Sequence, residues 1–204
     1  MSPAVKARYI PQHKQTGFSL IELMIVIAII GTFISVALLN ITSVRRNYGV
    51  INDTGKLSAL VTLARMRAVS TFSRVQVLCN NVTNQCSLQT KPYGSSTWSA
   101  DSNKQTLTLT QGVSFGVPPG VSAGVGGQSS TTPYQGSSAQ SISYAVILNS
   151  RGLPIVDNAT GTSVSDYALY LLGPNNISMA VATDGTGTSS VYALNGSQWQ
   201  VFTQ

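Results

Sequence analysis

From Phe18 to Leu39 the chain runs for 22 residues with one ionisable side chain, Glu22, and no proline stands between Pro11 and Pro92. At about 1.5 Å of rise per residue, a run of this length makes roughly 33 Å of helix, enough to cross the hydrocarbon core of a bilayer. Ser19, Thr32 and Ser35 are its other polar members. The apolar pattern then continues through Ile41, Val50, Leu57, Leu60, Val61, Ala64 and Ala68. The spacing 57, 60, 61, 64, 68 is a helical stripe, with Lys56, Arg65 and Arg67 largely off it. Gly31, Gly49 and Gly55 are positions where such a helix could bend or fray. The expectation is one long helix, apolar all round over residues 18–40 and amphipathic over 41–73. An amphipathic half must bury its stripe, and residues 74–204 are the partner available.

After Ser73 the periodicity changes from 3.6 to 2. Arg74-Val75-Gln76-Val77-Leu78 and Ser87-Leu88-Gln89 flank Asn80-Asn81-Val82-Thr83-Asn84, the pattern of a hairpin. Further strands are expected at Thr106–Thr110, Ile142–Leu148, Tyr167–Leu172, Ile177–Ala182, Val191–Leu194 and Gln198–Phe202. Asn195-Gly196 is the dipeptide that a type I′ turn prefers. Residues 117–141 are rich in Gly, Ser, Thr and Pro, too polar to build core, and are expected to form a flexible loop suited to a surface contact. The fold class is therefore α+β, a long N-terminal helix packed on a C-terminal antiparallel sheet.

Charged residues make up only 9% of the chain, against about 25% in an ordinary soluble protein. Gly, Ser, Thr and Asn take their place, which suits an extracytoplasmic or assembled protein. Cys79 and Cys86 are two in number and close in sequence, as in a disulfide formed in an oxidising compartment. A ring of that size contributes about 2–3 kcal/mol in the chain-entropy model. His13 is the only histidine and Glu22 the only glutamate, beside five scattered aspartates. No carboxylate pair, nucleophile–base pair, metal constellation or cofactor motif can be assembled from this inventory. Gly185-Thr186-Gly187 reads as a turn rather than a phosphate loop, since no helical pattern follows it. The expectation is a protein that is not an enzyme and carries neither metal nor cofactor.

Glu22 is the anomaly of the apolar run, because an ionised side chain near the centre of a membrane helix is disfavoured by about 2.5–3.5 kcal/mol. A plain membrane anchor has no use for it. An ordinary secretory signal could be cut after the small-x-small site Ser35-Val36-Ala37, leaving a chain that starts at Leu38, but its apolar region would span only about 7–15 residues. A basic leader (Lys6, Arg8, Lys14) followed by Gly17-Phe18-Ser19-Leu20-Ile21-Glu22 resembles the class III signal of type IV pilins and pseudopilins.

That resemblance implies cleavage of a leader, residues 1–17, after Gly17 by a prepilin peptidase that also N-methylates Phe18. It implies that Glu22 pairs with the new amino group of a neighbouring subunit and sets helix register during assembly. The implied partners are the peptidase/N-methyltransferase, other pilins or pseudopilins in a helical filament, and an inner-membrane assembly platform. The implied location is the inner membrane, single-pass with a cytoplasmic N-terminus, and afterwards a periplasmic or surface filament. Loss of the leader would leave nine basic against six acidic residues, a formal +3.

Tyr144-Ala145-Val146-Ile147-Leu148-Asn149-Ser150-Arg151-Gly152-Leu153-Pro154 resembles the strand and Arg-Gly turn of the GspH/FimT-type domain of minor pilins and pseudopilins; a plain turn with a solvated arginine accounts for Arg151-Gly152 equally well. The family's penultimate strand and turn is similar to Ala180-Val181-Ala182-Thr183-Asp184-Gly185-Thr186-Gly187, without the usual basic residue after the glycine. The implied function is a minor pilin, the alternative a GspH-like type II secretion pseudopilin. A second alternative is a DNA-binding minor pilin, with Arg45, Arg46, Lys56, Arg65, Arg67 and Arg74 set against phosphates. The competing account of that cluster is a solvated or subunit-facing helix surface.

Overall fold

The computed structural model describes residues 19–101, 105–116, 118, 143–156 and 166–203. The leader, with Gly17 and Phe18, and the loop expected over 117–141, Pro118 apart, lie outside the described residues. One helix, α1, runs from Leu20 to Thr71 over 52 residues. Two compact units divide the chain, Met1–Thr42 and Ser43–Gln204.

The helix begins where the sequence offers a start. The carbonyl of Ser19 accepts the amides of Glu22 (3.0 Å) and Leu23 (3.2 Å). Glu22 therefore sits in the first turn, where the positive end of the helix dipole favours a carboxylate. At the other end Phe72 takes a left-handed conformation (φ 49°), and the Ser73 amide returns to the Ala68 carbonyl at 3.3 Å. This is the Schellman closure, built on a phenylalanine where glycine is the usual residue. The ring of Phe72 is exposed.

In the second unit the helix buries Val50, Asp53, Thr54, Leu57, Leu60, Val61, Ala64 and Ala68. The apolar members share one core cluster with residues of β1 (Arg74–Asn80), β2 (Gln85–Lys91), β6 (Ser143–Leu148), β7 (Asp166–Leu172) and β8 (Ser178–Asp184). The strands divide into two antiparallel sheets, each of five strands. The first has the order β3-β2-β1-β6, with β3 (Ser99–Ala100) and β4 (Thr106–Thr108) both on the outer edge of β2. The second has the order β10-β9-β8-β7-β5, with β5 (Ser114–Phe115), β9 (Ser189–Asn195) and β10 (Gln198–Val201). The two-residue β3 and β5 are too short to show a period. Period-2 alternation reports which face a residue takes and not which strands become neighbours, so the split into two sheets had no sequence signal.

Cys79 and Cys86 stand opposite each other in the β1–β2 register and are joined as a fully buried disulfide with Cα atoms 3.9 Å apart. The final hairpin differs from its expected turn. Gly196 and Ser197 are the two loop residues between β9 and β10, and among the turn's residues only Gly196 has positive φ (63°). Glycine at the first central position is the type II′ arrangement, whereas type I′ would place Asn195 inside the turn. Asn195 instead pairs with Gln198 at the end of the ladder.

Candidate functional site

Two surfaces carry the functional argument. The first is the apolar half of α1 in the N-terminal unit. Leu20, Ile21, Leu23, Met24, Ile25, Ile27, Ile29, Ile30, Phe33 and Ile34 are all exposed, Leu20 by 76% and Phe33 by 72%. Monomeric soluble proteins rarely show continuous apolar patches on this scale, so the surface is one that another apolar phase must cover. The hydroxyls of Thr32 and Ser35 donate back to the carbonyls of Ile29 (2.7 Å) and Gly31 (2.8 Å), which removes their polarity from the surface. Among the described residues no hydrogen bond or ion pair engages the Glu22 carboxylate, and no helix there is long and apolar enough to cross a membrane. The described side chains of this half end at Ser35.

The second surface lies where the turn after β6 and the turn after β8 meet over the helix. Asn149 shapes the first turn, its Oδ1 accepting the amides of Arg151 (2.9 Å) and Leu153 (3.0 Å). Asp184 shapes the second, its Oδ1 accepting the Thr186 amide (2.9 Å), the Thr186 hydroxyl (2.6 Å) and the Thr188 amide (2.9 Å). The Thr186 hydroxyl is the main reason the Asp184 carboxyl is held below its ordinary value; the Thr188 and Thr186 amides and the Arg65 charge add to it, and partial desolvation opposes them. Arg65 spans the junction: Nη2 donates to the Thr186 carbonyl at 2.9 Å, and Nη1 reaches the Thr188 hydroxyl at 3.5 Å. The two turns touch. A Cβ on Gly187 (φ +81°) would lie 2.0 Å from the Gly152 carbonyl oxygen, and one on Gly152 (φ +75°) 2.8 Å from Arg65 Cγ. The two segments singled out in the sequence, 144–154 and 180–187, are thus brought together by one arginine, and the first sheet is tied to the second there. A further tie runs from the Tyr167 hydroxyl on β7 to the Ile155 carbonyl. Beside this junction an open groove of about 410 Å³ is lined by Thr62, Arg65, Met66, Val69 and Ser70.

The basic cluster is largely taken into the fold. Besides Arg65, Lys56 Nζ lies 3.9 Å from Asp53 Oδ1, and Arg67 Nη2 lies 3.8 Å from the buried Asp101. Arg74 opens β1. Arg45 and Arg46 are in α1, with side chains outside the described ones. Asp53 is a residue whose role the sequence reading missed. It is fully buried and accepts the Thr110 amide (2.5 Å) and hydroxyl (3.1 Å), pinning the segment after β4 to the helix. An acid inside the stripe 50, 53, 57, 60 was the available signal. Among the described residues no group of three or more His, Cys, Asp or Glu is placed to hold a metal ion.

The family described as "Prokaryotic N-terminal methylation motif" matches residues 12–38, a stretch that contains Gly17, Phe18 and Glu22. The chain has the N-terminal signal of a type IV pilin or pseudopilin. The minor pseudopilin EpsH from the type 2 secretion system of Vibrio cholerae is similar in structure at 12% identity and a TM-score of 0.46, over 71% of this chain and 96% of that one. No curated protein matches the sequence. Among the described residues the architecture is α+β, one long helix and two antiparallel sheets.

Two outcomes are expected at the junction. Gly187→Ala should lower unfolding stability by about 3 kcal/mol or more, because left-handed strain adds to a backbone clash. Gly112→Ala has equally positive φ (+88°) but open space around the new methyl, and should cost only about 1–2 kcal/mol. Equal losses by urea denaturation would contradict contact between the turns. Because the folded carboxyl of Asp184 titrates low, its contribution is full above the unfolded value of about 3.9 and is lost as pH falls through the folded value. The stability gap between wild type and Asp184→Ala, about 1 kcal/mol at neutral pH for lost hydrogen bonds, should therefore close in acid; a gap unchanged at pH 3 or below would contradict the assignment.

Proposed function

We propose that this chain is a structural subunit, a minor pilin, of a type IV pilus-like filament. A prepilin peptidase cuts after Gly17 and methylates Phe18. The apolar half of α1 holds the subunit in the inner membrane until an assembly platform moves it into the filament. The observation that carries this reading is the methylation motif over residues 12–38, which takes in the first turns of a helix whose apolar side chains are exposed. Membrane and filament core are both apolar, so transfer between them brings little hydrophobic surface into water.

Glu22 fits the assembly step. Its carboxylate is one turn from the expected amino terminus and has no partner among the described residues. In a dry helical bundle, the amino group of a neighbouring subunit would complete it. Desolvation offsets much of that attraction, so the pair sets register more than it adds stability. A type II secretion pseudopilin uses the same chemistry and is the alternative filament. A DNA-binding role is less well supported, because Lys56, Arg65 and Arg67 are already engaged within the fold.

The test is Glu22→Val in the native host. The variant should still be processed and membrane-bound. Its amount in the sheared filament fraction should fall by at least about tenfold, as expected when one partner of a buried ion pair is removed. Undiminished incorporation would overturn the role given to Glu22.

A further inference from the structure

We propose that the outer edge of β10 is a pairing edge for a second copy of this chain, joined strand to strand about a twofold axis at Gln200. The sheets have four edges, and three are blunted. β5 and β3 are two residues long and β4 is three. The free side of β6 is taken by the segment after it, through the Leu148–Pro154 bridge and the Ile155 amide to the Ile147 carbonyl at 2.9 Å. Short strands, proline and covering loops are the ordinary protections against edge pairing.

β10, four residues long, has no proline and, among the described residues, no covering segment. It bonds only to β9 among the described residues, and its Val201 is 61% exposed. No Lys, Arg, Asp or Glu occurs from Gly185 to Gln204, so no charge guards the edge.

The backbone fixes which groups are free. The Phe202 amide donates to the Val191 carbonyl at 2.8 Å. Hydrogen-bonded positions alternate along an antiparallel strand, so Gln198, Gln200 and Phe202 turn their amides to β9, while Trp199 and Val201 turn theirs outward.

An antiparallel copy can then exchange both bonds between Trp199 and Val201 of the partner, and again between Val201 and Trp199 of the partner. Gln200 falls opposite itself on the axis. The register is self-complementary in side chains as well. It sets an aromatic against a β-branched residue twice, a favourable cross-strand pair, and brings no like charges together. The Trp199 ring is held against Tyr170 on the sheet face, with centroids 5.4 Å apart and planes 47° from parallel, so the pairing rests on the backbone of the edge. A twofold contact closes on itself, so it is separate from the head-to-tail contacts that a helical filament requires. It holds whether or not the subunit enters a filament.

The experiment is cysteine crosslinking of the full-length chain in membranes of the producing cells. Both native cysteines are already in a disulfide. In Gln200→Cys the two Cα atoms would lie about 4.5 Å apart across the axis, within bonding range. In Gln198→Cys they would be separated by four residue steps, about 14 Å, beyond it. Both glutamines are exposed, so neither change disturbs the core. The proposal expects an oxidant-dependent dimer for Gln200→Cys, at least about tenfold more than for Gln198→Cys. It expects that dimer to be lost when Val201→Lys is added, which puts a lysine on the pairing edge and sets the lysines of the two copies diagonal to each other. No dimer, equal dimer at both positions, or an adduct of Gln200→Cys with a protein of another mass would overturn it.

Discussion

The second unit depends on the burial of one helical stripe, Val50 to Ala68, under two sheets at once. Each sheet turns one apolar face to the main core, Val75, Val77 and Leu88 on the first and Leu169, Leu171, Met179 and Val181 on the second, and that face needs something to cover it. The helix supplies that cover to both. Residues spaced three and four apart put Leu57, Val61, Ala64 and Ala68 on a single face, and small side chains at 64 and 68 let the strands come close. Two polar ties then fix the position along the helix: Asp53 holds the segment after β4, and Arg65 holds the turns that end β6 and β8.

The first half of the same helix follows a different rule. It is apolar on every side and presents those side chains outward. Continuous helical pattern therefore joins two environments. One part leaves its apolar side chains exposed, and the other buries its own in the protein's core. Glu22 stands where the first part begins, at the helix end whose dipole best tolerates a carboxylate.

The helix was legible because no proline interrupts it and its second half keeps a stripe of 3.6 period, and the longer strands because alternation marks them. What was not legible involves distant partners. Asp53 falls on the buried stripe, but nothing in the sequence names Thr110 as its partner. Arg65 reads as part of a basic face, and only the fold shows it reaching the Thr186 carbonyl 121 residues on. The Asn149–Gly152 and Asp184–Gly187 segments were visible as turns from their Asx and glycine residues, but their contact with each other depends on the arrangement of two sheets. The N-terminal motif is a separate matter: Gly17, Phe18 and Glu22 lie within the matched stretch 12–38 and were legible as a string, without reference to the fold.

The central claim is that the apolar run stays attached to the mature chain and begins it. Mass spectrometry of the N-terminal peptide from the membrane or sheared-surface fraction of the native host tests this directly. The account predicts a peptide that starts at Phe18 and carries one added methyl group. A chain that starts at Leu38 would mean that the run had been removed as an ordinary secretory signal, and would contradict it.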